Sequence, residues 1–225
     1  MSHAAELPPA SVRDGIRASL PFGAAVALFG VSFGVLANAD AGLGPAAALV
    51  MSITTFGGSA QFAAVSILAG GGQPLAAISA AIMLNLRYLP IGVTVASAIH
   101  GSWLRRLFTA QVVVDESWAI AARGGGRFSA PLLIGAGITL WLAWVGGTAI
   151  GVIGGSALGD PLTLGLDAAF PALFLALLVP QLRSRTAVGV AAAGAIASVA
   201  LVPLVPAGVP IVVAGLAALI GWWRR

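Results

Sequence analysis

The apolar positions of this chain fall into long runs separated by short clusters of Gly, Pro, Asp and Arg. The runs cover residues 20–37, 45–68, 75–99, 131–154, 186–204 and 209–223, with a short run from 167 to about 181 and an ambiguous stretch from 100 to 122. Roughly 20 apolar residues carry a helix across the hydrocarbon core of a bilayer. The pattern therefore predicts an all-α, polytopic transmembrane bundle of six to eight spans. Residues 1–18 are polar and read as a cytoplasmic N-terminal segment. The run that follows is too long for a signal-peptide core of about 7–15 residues, and Glu6, Pro8, Pro9 and Asp14 precede it. It is read as a retained first span.

Composition narrows the class. Of 225 residues 59% are apolar and 8% charged, against about 25% charged in soluble domains. The chain reads as a single integral membrane domain over residues 1–225 facing the lipid bilayer, with no separate soluble part. Eleven Arg against seven acids leave +4, but the excess lies in short loops. That is topology information, and no nucleic-acid partner is read into it. No Cys is present, so disulfides and thiolate sites are excluded. Two His make a histidine metal cluster unexpected, and no cofactor is predicted.

Positive loops should lie inside, which puts the N-terminus, Arg183 to Arg185 and the Trp222-Trp223-Arg224-Arg225 end on the cytoplasmic side. Counting every run as a crossing gives eight spans and turns Arg105 and Arg106 outward. Treating one segment between 75 and 122 as non-crossing removes that violation.

Three stretches carry the polar chemistry. Phe56-Gly57-Gly58-Ser59-Ala60-Gln61-Phe62 sits inside the run 45–68. Paired Gly lets the backbone leave helical geometry. Such a break persists in hydrocarbon only where protein or a watery cavity satisfies the freed groups. Discontinuous helices of this kind mark transporter sites; the alternative is a close helix–helix contact through small residues. Asn85-Leu86-Arg87-Tyr88-Leu89-Pro90 places an Arg deep in the third run. It faces a bundle interior or cavity, or snorkels to an interface, and Pro90 favours a kink at Leu86. Asp115-Glu116 is either buried in the bundle or interfacial. A faint internal repeat relates Gly42-x-Gly44-Pro45, Phe56 and Gln61 to Gly159-x-Pro161, Phe170 and Gln181.

At FGGSAQF (56–62) and NLRY (85–88), together with Asp115-Glu116 and LGLDAAFPALFLALL (164–178), the chain resembles the AzlC family. These are bacterial inner-membrane proteins associated with branched-chain amino acid export. The similarity covers roughly residues 15–181. It implies export of valine, leucine or isoleucine with a small AzlD-like membrane partner.

The residues suggest how such a substrate would be held. Backbone N–H groups after Gly57-Gly58, aided by the helix dipole, suit a carboxylate. Ser59, Gln61 and Asn85 add hydrogen bonds, and Phe56, Phe62 and Phe170 an apolar wall. Arg87 is a second carboxylate site, or a partner for Asp115 or Glu116. Either acid is a candidate for proton coupling or gating. A channel would need a continuous polar lining that no run shows. An enzyme would need a base beside Ser59, and none is evident. A structural or regulatory subunit of a membrane complex is the remaining alternative.

Overall fold

The computed structural model describes residues 10–124, 126–155 and 184–205, together with Leu175, Leu178, Val179, Leu182, Pro210 and Val213. Among the described residues the fold is helical throughout, with one isolated β-bridge between Ala122 and Phe128. Two long helices form its spine. Helix α1 (Val12–Ala39) opens on a capping box: Ser11 Oγ accepts the Asp14 N–H at 3.3 Å, and Asp14 Oδ2 accepts the Ser11 N–H at 2.9 Å. Reciprocal satisfaction of these end donors fixes where the helix starts. Helix α8 (Ala130–Gly154) starts with Pro131 in its first turn, where a missing N–H costs nothing.

Glycines weld this pair. Gly15 backs onto Leu132 and Ala136, Gly30 onto Trp144 and Thr148, and Gly34 onto Thr148 and Val152. From the other side Gly135 meets Val12, Gly147 meets Ala27, and Gly151 meets Val31. A Cβ on Gly30 would lie 2.6 Å from the Trp144 carbonyl oxygen, so only hydrogen fits. The Gly30-x-x-x-Gly34 pattern is thus a packing face, and it meets its counterpart Gly147-x-x-x-Gly151. Rising numbers on α1 pair with rising numbers on α8, so the two helices run parallel. Residues 40–129 must therefore bring the chain back to the face from which α1 started.

They do so with one crossing and two half-way excursions. Helices α2 (Gly44–Thr54) and α3 (Gly58–Ala69) occupy the run 45–68. The Leu43 N–H bonds the Ala37 carbonyl at 3.0 Å, tying the start of α2 to the end of α1. At the other end of α2, Trp141 in the middle of α8 donates to the Ile53 carbonyl at 3.1 Å. The chain then reverses. Phe62 of α3 packs edge-on against Phe33 and Trp144, each 5.8 Å between centroids. Leu43, Met51, Ala64, Leu68 and Pro74 share one groove, so the end of α3 lies back beside the start of α2. At 1.5 Å per residue, 11 and 12 residues span about 17 Å each, roughly half of a 30 Å hydrocarbon core. This run, expected as a span, is a re-entrant hairpin. The physical reason is Phe56 at φ +40° followed by Gly57, a reversal rather than a kink.

Helices α4 (Pro74–Asn85) and α5 (Tyr88–Val95) make the crossing, 22 residues with a turn at Leu86–Arg87. The break falls where Pro90 removes the bond to the Leu86 carbonyl. Val95 ends beside Ala121, Leu132 and Leu133, at the starting end of α8. Helices α6 (Trp103–Gln111) and α7 (Asp115–Ala121) then form a second hairpin from that face. Tyr88, Ala110 and Val113 line one end of the groove between α5 and α6, and Ile99 and Trp103 the other. Gln111 Nε2 reaches the carbonyls of Ile53 (3.2 Å) and Thr54 (2.9 Å), so the two hairpin tips meet. Ala121 returns to Leu132 and Leu133. Arg105, Arg106, Arg123 and Arg127 consequently share one face, and the segment 105–122 does not cross. Helix α9 (Arg185–Leu201) completes the described helices. Gly159, Pro161, Phe170 and Gln181, the second half of the internal repeat expected from the sequence, lie outside the described residues, as does the C-terminal Trp222 to Arg225.

Candidate functional site

The meeting point of the tips lines a half-open cavity of about 80 Å³. Every central element contributes to it: Val26 and Phe29 from α1, Phe56, Gly58 and Ser59 from the first tip, and Val114, Asp115 and Glu116 from the second. Arg87 and Tyr88 come from the α4–α5 break, and Leu140 and Trp144 from the middle of α8.

Side chains one turn into each returning helix build the two tips. Gln61 Oε1 accepts the Gly57 N–H at 3.1 Å, and Gln61 Nε2 donates to Ser52 Oγ at 3.2 Å. Ser52 Oγ in turn pairs with Thr148 Oγ1 at 2.8 Å, which donates to the Trp144 carbonyl at 2.9 Å. This buried chain anchors the first tip to α8, and each unmade bond in hydrocarbon would leave a polar group without a partner. In the second tip Ser117 Oγ accepts the Val114 N–H at 2.9 Å and bonds the Val112 carbonyl at 2.9 Å. Both returning helices therefore begin at the cavity with their N-termini aimed inward.

The charges divide the cavity. Arg87 Nη2 pairs with Asp115 Oδ2 at 3.1 Å and donates to Tyr88 Oη at 3.2 Å, with the guanidinium 5.0 Å from the Tyr88 ring centroid. Arg87 thus sits at the break, as the residue that precedes α5, and is joined to the second hairpin. Among the described residues Glu116 makes no ion pair. Four buried polar atoms have no partner there: Ser59 Oγ, Asn85 Oδ1, Arg87 Nε and Trp144 Nε1. Three of the four belong to residues lining the cavity. The first turn of α3 holds no acid and no side-chain cap, whereas α7 opens on Asp115 and Glu116. One tip is an electropositive helix end; the other carries two carboxylates.

Of the residues singled out in the sequence, Phe56, Gly58, Ser59, Arg87, Asp115 and Glu116 line the cavity. Gly57 lies in the turn, and Asn85 packs on it, its Oδ1 2.9 Å from where a Gly57 Cβ would stand. Gln61 and Phe62 are fully buried behind the tip. Phe170 lies outside the described residues. Sequence reasoning did not single out Val26, Phe29, Tyr88, Leu140, Trp144, Ser52 or Thr148 as site residues. Trp144 carried a signal, because a Trp at mid-span is displaced from the interfaces where Trp is enriched. The hydroxyls of Ser52 and Thr148 were indistinguishable from ordinary helix-facing ones.

A family model described as AzlC protein matches residues 21–158. An uncharacterized membrane protein of Archaeoglobus fulgidus is 33% identical over 84% of this chain and 84% of its own. The branched-chain amino acid transport protein AzlC of Bacillus subtilis is 28% identical over 76% of this chain and 68% of its own. The inner membrane protein YgaZ of Escherichia coli is 29% identical over 85% and 82%. No solved structure matches the chain.

Proposed function

The chain belongs to the AzlC family, and on that footing we propose that it is the large subunit of a secondary transporter that exports branched-chain amino acids. The observation that carries the reading is the charged cavity between two opposed half-helix tips. Broken helices meeting near the bilayer midplane are how secondary transporters expose polar groups to a substrate while keeping backbone donors satisfied. The cavity offers both an apolar wall of Val26, Phe29, Phe56 and Leu140 and a polar side of Ser59, Arg87, Asp115 and Glu116. A small aliphatic zwitterion needs both. The named transport role of the Bacillus subtilis relative supports the same substrate class.

The whole chain, 1–225, works in this reading as one transport domain in the bacterial cytoplasmic membrane, assembled with a small AzlD-like protein. The shared face of Arg105, Arg106, Arg123 and Arg127 supports a cytoplasmic position for that side, and with it a cytoplasmic N-terminus. Arg183, Arg185 and the C-terminus are placed on the same side. In this reading the chain is a carrier and not an enzyme; among the described residues no His lines the cavity beside Ser59.

Proteoliposomes holding the chain alone, or with the small partner, test the proposal. Labelled valine should accumulate against its gradient when an ion gradient is imposed, and unlabelled leucine or isoleucine should compete. Accumulation that depends on the small partner and persists when this chain's cavity is blocked would make the chain a structural subunit instead.

A further inference from the structure

Within the transporter reading, on which this rests, we infer that the N-terminus of α3 together with Ser59 receives the substrate's α-carboxylate, while Glu116 receives its α-ammonium. Two independent observations converge on the first subsite. Helix α3 has 12 residues, enough for a developed dipole. Its Gly57 N–H is taken by Gln61, and the Gln61 N–H closes onto the Gly57 carbonyl at 2.9 Å. Among the described residues the N–H groups of Gly58, Ser59 and Ala60 receive no acceptor, and no acid offsets the helix end. These are the donors that bind anions at helix starts.

Separately, Ser59 is 3% exposed and lines the cavity, and its buried hydroxyl has no partner. An unpartnered hydroxyl buried at this depth is costly. It is satisfied if an oxygen of the substrate accepts its hydrogen. Gly58 keeps this end of the cavity uncrowded: a Cβ there would stand 3.3 Å from the Trp144 ring.

Arg87 is the competing carboxylate site: its Nε has no partner among the described residues, but its Nη2 is shared between Asp115 and Tyr88 and its charge is already met by Asp115, whereas nothing offsets the end of α3. That pairing also fixes Asp115. Glu116 is left as the cavity-lining carboxylate without an ion pair among the described residues. It lies on the tip opposite α3, so the two charges of one amino acid can each meet their complement inside a space of about 80 Å³. Recognition of the shared backbone charges, with an aliphatic wall beyond them, suits several branched side chains equally.

The test is equilibrium binding of labelled valine to the purified chain in lipid nanodiscs, with the small partner present if it is needed for stability. Valinol, which keeps the ammonium and lacks the carboxylate, serves as competitor. Ser59→Ala should weaken valine about ten-fold, as expected for a lost hydrogen bond to a charged group, and leave the valinol constant unchanged. Unchanged valinol binding also shows that the variant is folded. Glu116→Gln should weaken valine and valinol together. Wild-type affinity for valine in Ser59→Ala, or equal weakening of valinol, overturns the carboxylate subsite. Unaltered valinol binding in Glu116→Gln overturns the ammonium subsite. Absence of valine binding by the wild type overturns the transporter reading itself.

Discussion

Adjacent glycines in α8 show how differently single residues are used. Gly147 is pressed against the Ala27 carbonyl of α1, whereas a Cβ on Gly146 would meet nothing within 4 Å. Gly147→Val should abolish folded protein, because the overlap is with backbone that cannot yield. Gly146→Val should express and transport as the wild type does, a contrast read by size-exclusion profile and valine flux. At the first tip, Gly58→Leu should stop transport while leaving folded protein in the membrane, since the side chain grows into the Trp144 ring and the cavity. Loss of folded protein in step with transport would favour a packing role. Gln61→Ala has another expected signature. Gln61 holds the turn through Gly57 and Ser52 and does not line the cavity. Its loss should lower thermal stability by about 1–2 kcal/mol and leave the KM of the surviving protein unchanged. A raised KM with unchanged stability would return Gln61 to the substrate.

At the scale of elements, the break in the second run was legible because two glycines and a Gln interrupt an apolar sequence. Its consequence was not. A kinked crossing and a reversal use the same residues, and the choice is made by packing: Phe62 against Phe33 and Trp144, and Met51 of α2 against the cluster that holds Ala64 and Ile67 of α3. The second hairpin was half legible, because the positive charges at Arg105 and Arg106 already argued against a crossing. Arg87 at a break was legible from Pro90; its partner was narrowed to two adjacent acids and no further, since helical periodicity cannot choose between them. The re-entrant arrangement makes a direct prediction in this cysteine-free chain. Single cysteines at Asp40 and Gln73, before α2 and after α3, should react with an impermeant thiol reagent from one side of the membrane. Cysteines at His100 and Arg127, which bracket the second hairpin, should react only from the other. Opposite-side labelling of positions 40 and 73 would make α2–α3 a span.

Across the whole molecule the two hairpins enter from opposite faces, each following a crossing helix: α1 then α2–α3, and α4–α5 then α6–α7. The second unit repeats the order of the first with reversed orientation, as in inverted-repeat transporters. In the proposed transporter, displacement of one tip or the other would open the cavity at the junction to either face. If the chain works as the proposed transporter, coupling would follow from the asymmetry of the tips. Asp115 is held by Arg87, with Tyr88 on the same guanidinium, so Glu116 is the acid at liberty to exchange partners. A carboxylate that binds the substrate's ammonium cannot hold a proton at the same time. Substrate leaving outward and a proton entering inward would thus alternate at one group, which is antiport and suits export. The sign is fixed: protonating Glu116 removes the acceptor, so valine binding should weaken as pH falls, and binding should release a proton. Glu116→Gln should bind weakly with no dependence on pH, while Asp115→Asn should keep the dependence. Addition of valine to lightly buffered wild-type protein should acidify the medium, and the same addition to Glu116→Gln should not. Proton release that survives in Glu116→Gln and disappears in Asp115→Asn would move the coupling to the Arg87-bound acid.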